Sequence, residues 1–198
     1  METYKIGSGT LEYYDETHTY LYDGIILPSV TQILSFKYPN DYANVPKDIL
    51  QRAGERGTAV HKSIEVFNRT GYDDGTQAVH DYRFLQNRYD FEVLDSELPL
   101  VLFDDEVPVA CGRLDMTLEI GNDVGIADIK TNATLNLEKV AYQLNLYRIG
   151  LKQSYNVDAQ FLRIIHLRDG KRKFIEVPVD EEKAIELLKQ FVERDKDA

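Results

Sequence analysis

Two neighbouring strand patterns joined by a tight turn constrain the fold of this chain more than any other segment. Residues 116–120 and 124–127 are rich in apolar side chains, and Gly121, Asn122 and Asp123 between them form a turn signal. The pattern predicts a short hairpin of two adjacent strands. A hairpin also determines which residues at its open end lie side by side.

Charged residues gather at that open end. The hairpin can bring Asp115, just before the first strand, beside Asp128, at the end of the second. Asp128 and Lys130 are two positions apart, so both point to one face of the strand while Ile129 points to the other. Two carboxylates supply hard oxygen ligands for a divalent metal, and an ammonium meets charge that develops on a phosphate ester. An aspartate followed two positions later by a lysine, as in Asp128-Ile129-Lys130, is common in proteins. Whether it is functional depends on which other residues lie close to it.

The composition is that of a folded globular protein. A chain of 198 residues predicts one domain, and 43% hydrophobic residues with 8 phenylalanines and 13 tyrosines argue against disorder. The sequence has no run of about eighteen apolar residues, so no transmembrane helix is expected. Residues 1–5 lack the leader of a secretion signal. Cys111 is the only cysteine, which excludes an internal disulfide or an all-cysteine metal site and fits a reducing cytoplasm.

The net charge of −11 argues against a protein that coats nucleic acid non-specifically. It does not exclude an enzyme that handles DNA in a local groove, because basic residues can gather on one face. Bound divalent cations would also offset the acidic cluster.

Helix and strand patterns alternate along the rest of the chain. Strands are predicted at residues 11–14, 19–22, 25–27, 91–94, 98–103, 107–110, 161–167 and 173–179. Helices are predicted at 29–34, 46–53, 58–68, 74–89, 136–153 and 180–194. Gly54 and Gly57 are expected to interrupt a helix or pack tightly in it, and Asp74 to cap the fourth helix. The order predicts a mixed α/β (α+β) domain with one central mixed sheet flanked by helices.

Four separated motifs accompany the two carboxylates. They are R-G-T-A-V-H ending at His61, with Glu65 one turn later; G-R-L-D ending at Asp115; D-I-K-T from Asp128; and Q-L-N-L-Y from Gln143 to Tyr147. In order and spacing this set resembles the PD-(D/E)xK nuclease superfamily, specifically its RecB-like exonuclease branch. Each motif alone is weak, but four in order are a strong signal, because the probability that all four match by chance is the product of four small probabilities.

The resemblance covers roughly residues 28–165 and implies a restriction-endonuclease-like fold. It implies a single nuclease domain over residues 1–198, with an N-terminal β-hairpin region (1–27), a nuclease core (28–168) and a C-terminal strand and helix (169–198). The branch that uses iron–sulfur clusters needs four cysteines, which this chain lacks.

The resemblance also assigns roles to individual residues. Metal ligands would be His61, Asp115, Asp128 and the backbone carbonyl of Ile129, with Mg²⁺ or Mn²⁺ as one or two ions. Lys130 would orient the attacking water or steady the phosphate, and Gln143 and Tyr147 would position the site and the DNA backbone. Glu97 matches an acidic position loosely, and Glu65 is a further possible site residue. The second acidic residue is aspartate here, whereas many relatives have glutamate.

The implied activity is hydrolysis of DNA to 5′-phosphate and 3′-hydroxyl ends, most simply by an exonuclease in recombination or repair. Stand-alone nucleases of this size resemble those that bacteriophages encode, which would act in the host cytoplasm. Some such enzymes work beside a single-strand annealing protein, and some form homo-oligomeric rings. Nuclease mode, end polarity and strand preference stay open.

Each of these residues also has a simpler, structural interpretation. His61 could be an ordinary packed histidine, Asp128 and Lys130 a surface ion pair of little energy, and Gln143 and Tyr147 an ordinary helical pair. Arg52 and Arg56 could contact phosphate or pair with nearby carboxylates. A second hypothesis of a different class is a catalytically silent acidic module that mimics DNA or binds a nuclease. The net charge favours it slightly, and the intact motifs count against it.

Overall fold

The chain folds as a mixed α+β structure built on two β-sheets. The computed structural model describes residues 1–196, so the last two residues of the predicted C-terminal segment lie outside it. The first sheet is an antiparallel meander of β1 (Glu2–Ile6), β2 (Gly9–Tyr14), β3 (Thr19–Tyr22) and β4 (Ile25–Leu27). The second has the order β5 (Phe91–Asp104), β6 (Val107–Ile120), β7 (Asp123–Lys130), β8 (Phe161–Arg168) and β9 (Lys171–Val177). This confirms the predicted mixed fold.

The five-stranded sheet is mixed because β7 and β8 run parallel, while its other neighbours are antiparallel. The described helices are α1 (Val30–Lys37), α2 (Lys47–Thr70), α3 (Gln77–Tyr89), α4 (Leu137–Tyr155) and α5 (Glu181–Lys196). Parallel strands need a long crossover, and α4 provides it between β7 and β8. Within residues 1–196, no helix has both the length and the apolar character needed to cross a bilayer.

Helices cover both faces of this sheet. On one face, α1, α4 and α5 bury a cluster that includes Val30, Leu144 and Phe191. On the other face, α2 and α3 bury a cluster that includes Ile64 and Tyr82. The strands between these layers are therefore held from both sides, and their carboxyl-terminal ends emerge at fixed positions.

The N-terminal sheet packs on β5 and β6 through a third apolar cluster. Its residues Leu11 and Tyr22 are buried together with Val101 and Cys111 of those strands. The sequence prediction located β2, β3 and β4 but missed β1. In β1 only Ile6 is buried, so its apolar pattern is too short to signal a strand.

The predicted helix starts at Ser29, Asn136 and Asp180 are confirmed. Ser29 forms a capping box with Gln32, and Asn136 Oδ1 accepts the Lys139 N–H at 3.1 Å. Asp180 Oδ1 accepts the Lys183 N–H at 3.4 Å. Such side-chain acceptors satisfy amide groups that have no partner within the first helical turn.

Two other helix predictions were wrong. The glycines at 54 and 57 do not interrupt α2, which runs as one helix of 24 residues. Thr76 caps α3, because its hydroxyl accepts the Val79 N–H, whereas Asp74, two residues earlier, accepts the Thr76 N–H. Propensity penalises a glycine in isolation, whereas here packing against the sheet keeps the helix continuous.

Candidate metal centre

The open end of the β6–β7 hairpin brings the two predicted aspartates together. Met116 pairs with Ala127, so the residues just beyond this pair, Asp115 and Asp128, lie at neighbouring positions. Asp115 Oδ2 accepts a hydrogen bond from the Ile129 N–H at 2.6 Å. Asp128 is only 2% exposed. The hairpin predicted from sequence thus brings two acidic side chains together and bonds Asp115 to the backbone of β7.

His61 of α2 reaches across to the same point. Its Nδ1 lies 3.4 Å from Asp115 Oδ1, and its Nε2 lies 3.1 Å from the carbonyl oxygen of Ile129. Gly57, one turn earlier on α2, faces the residue after β7, and a Cβ there would make an ordinary van der Waals contact, 3.5 Å from Thr131 Oγ1. His61, Glu97 and Asp115 each offer a ligand atom within 4.8 Å of the others, so these groups lie close enough to hold a metal ion.

This group of three differs from the predicted one. Sequence reasoning joined His61 and Asp115 with Asp128, whereas the structure joins them with Glu97, and Asp128 lies beside the group. Glu97 sits between the register pairs Ser96–Met116 and Leu98–Leu114, which puts it opposite Asp115 on the neighbouring strand. Its φ of +55° is in the left-handed region, which is uncommon outside glycine.

Arg113 holds Glu97 in that conformation. Its Nε donates to the Glu97 carbonyl at 3.2 Å and lies 2.9 Å from Glu97 Oε2. The guanidinium also stacks over the Tyr13 ring, 5.2 Å from the centroid, and lies 3.8 Å from Glu2 Oε2. Sequence reasoning gave Arg113 no role, although it is the arginine of the G-R-L-D motif.

Burial and neighbouring charges shift the acidic groups in opposite directions. Burial, together with the Asp115 charge, raises the pKa of Glu97 to about 7. Burial raises the pKa of Asp128 to about 6, although Lys130 opposes the shift. Burial also acts on Asp115, but the positive charges of His61 and Lys130 outweigh it and lower the pKa of Asp115. Asp115 is therefore the carboxylate that stays ionised most readily.

The imidazole of His61 responds to the same carboxylates. Burial alone would lower its pKa, but the charges of Asp115 and Asp128 outweigh burial and raise the pKa to about 9. At neutral pH the ring is therefore a cation that partly balances the acidic cluster.

Lys130 begins a hydrogen-bonded chain that leads into α4. Its Nζ lies 2.6 Å from Asp128 Oδ2 and donates to Gln143 Oε1 at 3.0 Å. Gln143 Nε2 in turn donates to the Tyr147 hydroxyl at 3.2 Å. The Gln143–Tyr147 spacing of one helical turn thus serves a partly buried network beside the site, not a fully exposed polar face.

Glu65 takes no part in the group of three. Its Oε2 accepts from Lys62 Nζ at 2.8 Å, and its Oε1 lies 3.6 Å from Arg69. Its negative charge still contributes to the raised pKa of Glu97. Glu65 therefore acts on the site at a distance.

Gly112 makes room for the Tyr147 ring. A Cβ at this position would lie 2.8 Å from Tyr147 Cε1 and 3.1 Å from Val30 Cγ2. We expect Gly112→Ala to lower the free energy of unfolding by about 1–3 kcal/mol, because the added methyl overpacks a buried contact. Urea denaturation measures the change.

The matched control is Gly54→Ala on the exposed side of α2, where a Cβ meets nothing within 4 Å. This substitution should raise the free energy of unfolding by about 0.5–1 kcal/mol, because alanine is the better helix former. Equal effects of the two changes would contradict the close packing of Gly112 against Tyr147.

A cleft of about 980 Å³ opens beside Lys130 and Gln143. Its cationic lining consists of Arg52, Arg56, Lys130, Lys139 and Arg168, and we call it the cationic cleft. Arg52 is paired with Asp48 while it also lines the cleft, so both alternatives predicted for it stay open, and Arg56 has no ion pair within residues 1–196. Arg168 donates to the carbonyl of Thr131 at 3.0 Å and so fixes the chain after β7.

Comparison with known proteins gives no family assignment. No family model matches the sequence, and no curated protein matches it. Among solved structures, the crystal structure of SSO0001 matches 83% of this chain and 74% of its own, with 15% identity and a TM-score of 0.46. A likeness of this degree carries no conclusion about function.

Proposed function

We propose that this chain is a metal-dependent deoxyribonuclease of the RecB-like branch of the PD-(D/E)xK superfamily, acting as an exonuclease. One observation carries the proposal: His61, Glu97 and Asp115 converge within 4.8 Å, and Lys130 lies next to them on the wall of the cationic cleft. An ion pair with a purely structural role would not need to lie beside an open cleft. A phosphodiester substrate needs both the ligand group and a cationic approach to it.

The residues present suit Mg²⁺ or Mn²⁺. The carboxylates supply hard oxygen donors, which both ions prefer, and the one imidazole is a borderline nitrogen donor, which Mn²⁺ accepts more readily than Mg²⁺. Asp128 Oδ2 is buried, and Lys130 Nζ lies 2.6 Å from it, so the ammonium already compensates this carboxylate. His61, Glu97 and Asp115 would hold the ion, with Asp128 and the Ile129 carbonyl beside them.

The chain's own groups then have separable tasks. A divalent ion held by these residues would supply Lewis acidity to the phosphodiester and to the attacking water. Lys130 faces the cleft and stabilises negative charge that develops on the phosphate oxygens. Gln143 accepts a hydrogen bond from Lys130 and so keeps the ammonium in place. Attack of water on phosphorus breaks the bond to the 3′ oxygen, which leaves a 3′-hydroxyl and a 5′-phosphate.

Metal binding should release protons, because imidazole must be neutral to act as a ligand. With the pKa of His61 raised to about 9, we expect close to one proton released per ion near pH 8. Apparent affinity should rise with pH, approaching about tenfold per unit, and level off above about pH 9. Near pH 6 more than one proton should leave, since Glu97 and Asp128 then also carry protons in the free protein.

Calorimetric titration with Mn²⁺ in two buffers of different ionisation enthalpy counts these protons. His61→Gln serves as the comparison, because it should bind the ion more weakly and release no proton near pH 8. Wild-type binding without proton release would mean that His61 is not a ligand.

Digestion of end-labelled linear and circular DNA with Mg²⁺, Mn²⁺ or a chelator tests the activity itself. Cleavage of linear DNA alone, lost with chelator, is the expected result, and the end that first loses label gives the polarity. Cleavage of circles would replace the exonuclease with an endonuclease. No cleavage with either ion would overturn the nuclease proposal.

The acidic interaction module predicts a different pattern. Such a protein would bind neither Mn²⁺ nor DNA. The grouping of cations around one cleft argues against a DNA mimic, because a mimic needs negative charge on its working surface.

A further inference from the structure

The loop between α1 and α2, together with the first turn of α2, gives the cationic cleft one apolar wall. Tyr42, Val45 and Ile49 all line it. Tyr42 is 50% exposed and Ile49 is 49% exposed, although both are large apolar side chains. Exposed side chains of this kind are unremarkable when scattered, but here they line the same cleft as Lys130.

The cations interleave with this apolar wall. Lys139 Nζ lies 5.3 Å from the centroid of the Tyr42 ring and 2.7 Å from Asp41, the one carboxylate that lines the cleft within the described chain. Arg52 and Arg56 follow Ile49 on the same helix. Cationic and apolar side chains thus alternate along the cleft, although the net charge of the whole chain is −11.

This mixture distinguishes between two forms of nucleic acid. A duplex keeps its base faces stacked inside, so it presents phosphates to the cations and nothing to an exposed aromatic ring. A single strand presents phosphates and free base faces together, and aromatic side chains in a basic groove are the usual way to bind it. Building on the proposed nuclease function, we infer that the cationic cleft takes a single strand, with a base stacked on Tyr42.

Fluorescence anisotropy with labelled oligonucleotides tests this. The wild-type protein, with Ca²⁺ in place of Mg²⁺, is titrated with a single strand of about 12 nucleotides and with a hairpin duplex of equal phosphate number. We expect the single strand to bind at least about tenfold more tightly, and Tyr42→Ala to remove about tenfold of that affinity. Tyr42→Phe keeps the ring and should keep the affinity.

Tyr72→Ala is the matched control. Tyr72 is 64% exposed but follows the end of α2, outside the lining of the cleft, so its removal should change nothing. Arg56→Ala should weaken the single strand and the duplex alike, because it removes a phosphate contact.

Three results would overturn the inference: tighter or equal binding of the duplex, binding of neither form, or an unchanged affinity in Tyr42→Ala. These outcomes are separate from failure of the nuclease proposal. A protein that binds the single strand through Tyr42 but never cleaves it would keep the inference and lose the nuclease. A protein that cleaves only duplex, with Tyr42→Ala unimpaired, would do the reverse.

Discussion

Asp115→Asn should abolish both Mn²⁺ binding and DNA cleavage, with activity reduced by at least about 10³-fold. Asp115 is the member of the group with a lowered pKa, so it is the one that stays charged most readily. Asparagine has the same shape, and its side-chain oxygen can still accept from the Ile129 N–H. The substitution therefore removes charge while preserving the backbone contact. Calorimetry with Mn²⁺ and a cleavage time course measure the two losses.

The matched control is Asp123→Asn, at the other end of β7, where the aspartate is exposed. It should leave metal binding, cleavage and stability unchanged. If Asp115→Asn kept its metal affinity, the ion would have to bind elsewhere, and the assignment of this centre would be wrong.

Lys130→Gln should separate metal binding from chemistry. We expect cleavage to fall by about 10²–10³-fold, the typical loss when a group that stabilises transition-state charge is removed. Mn²⁺ affinity should stay equal or increase, because the substitution removes a positive charge that lies 2.6 Å from Asp128. Single-turnover cleavage with saturating ion measures the first quantity, and calorimetry the second.

Lys173→Gln provides the comparison for Lys130→Gln, since Lys173 is an exposed lysine on β9. It should behave as wild type in both assays. Parallel loss of metal affinity and cleavage in Lys130→Gln would show that the lysine supports the structure of the site and has no separate part in the reaction.

Sequence patterns were sufficient for the part of the site that is formed by residues close together in the chain. Asp115, Asp128 and Lys130 lie within one hairpin, and a period-two pattern with a turn signal is enough to place them. Gln143 follows on the next helix, so its approach to Lys130 also needs only neighbouring elements.

Glu97 could be placed only loosely, because its position depends on an irregular strand. The register of β5 and β6 shifts between Val93 and Asp95, and the backbone of Glu97 takes a positive φ. No residue-type pattern encodes either feature. The contact between Glu97 and Arg113 joins two neighbouring strands, and a single sequence does not show which residues of two strands meet.

The cationic cleft was beyond sequence reasoning for a similar reason. Arg56, Lys139 and Arg168 come from three distant parts of the chain, and they meet only after the sheet has formed. Net charge gives the wrong impression here, since −11 describes the whole surface and not one wall of it.

The stacking of Arg113 on Tyr13 connects the N-terminal sheet to the candidate metal site on the five-stranded sheet. A shortened chain that begins at Pro28 would lose both Tyr13 and Glu2 from the arginine that secures Glu97. It would also leave Val101 and Cys111 without their apolar cover. The amino-terminal strands thus support one wall of the candidate ion-binding site, and an engineer seeking a minimal version of this protein would have to retain them.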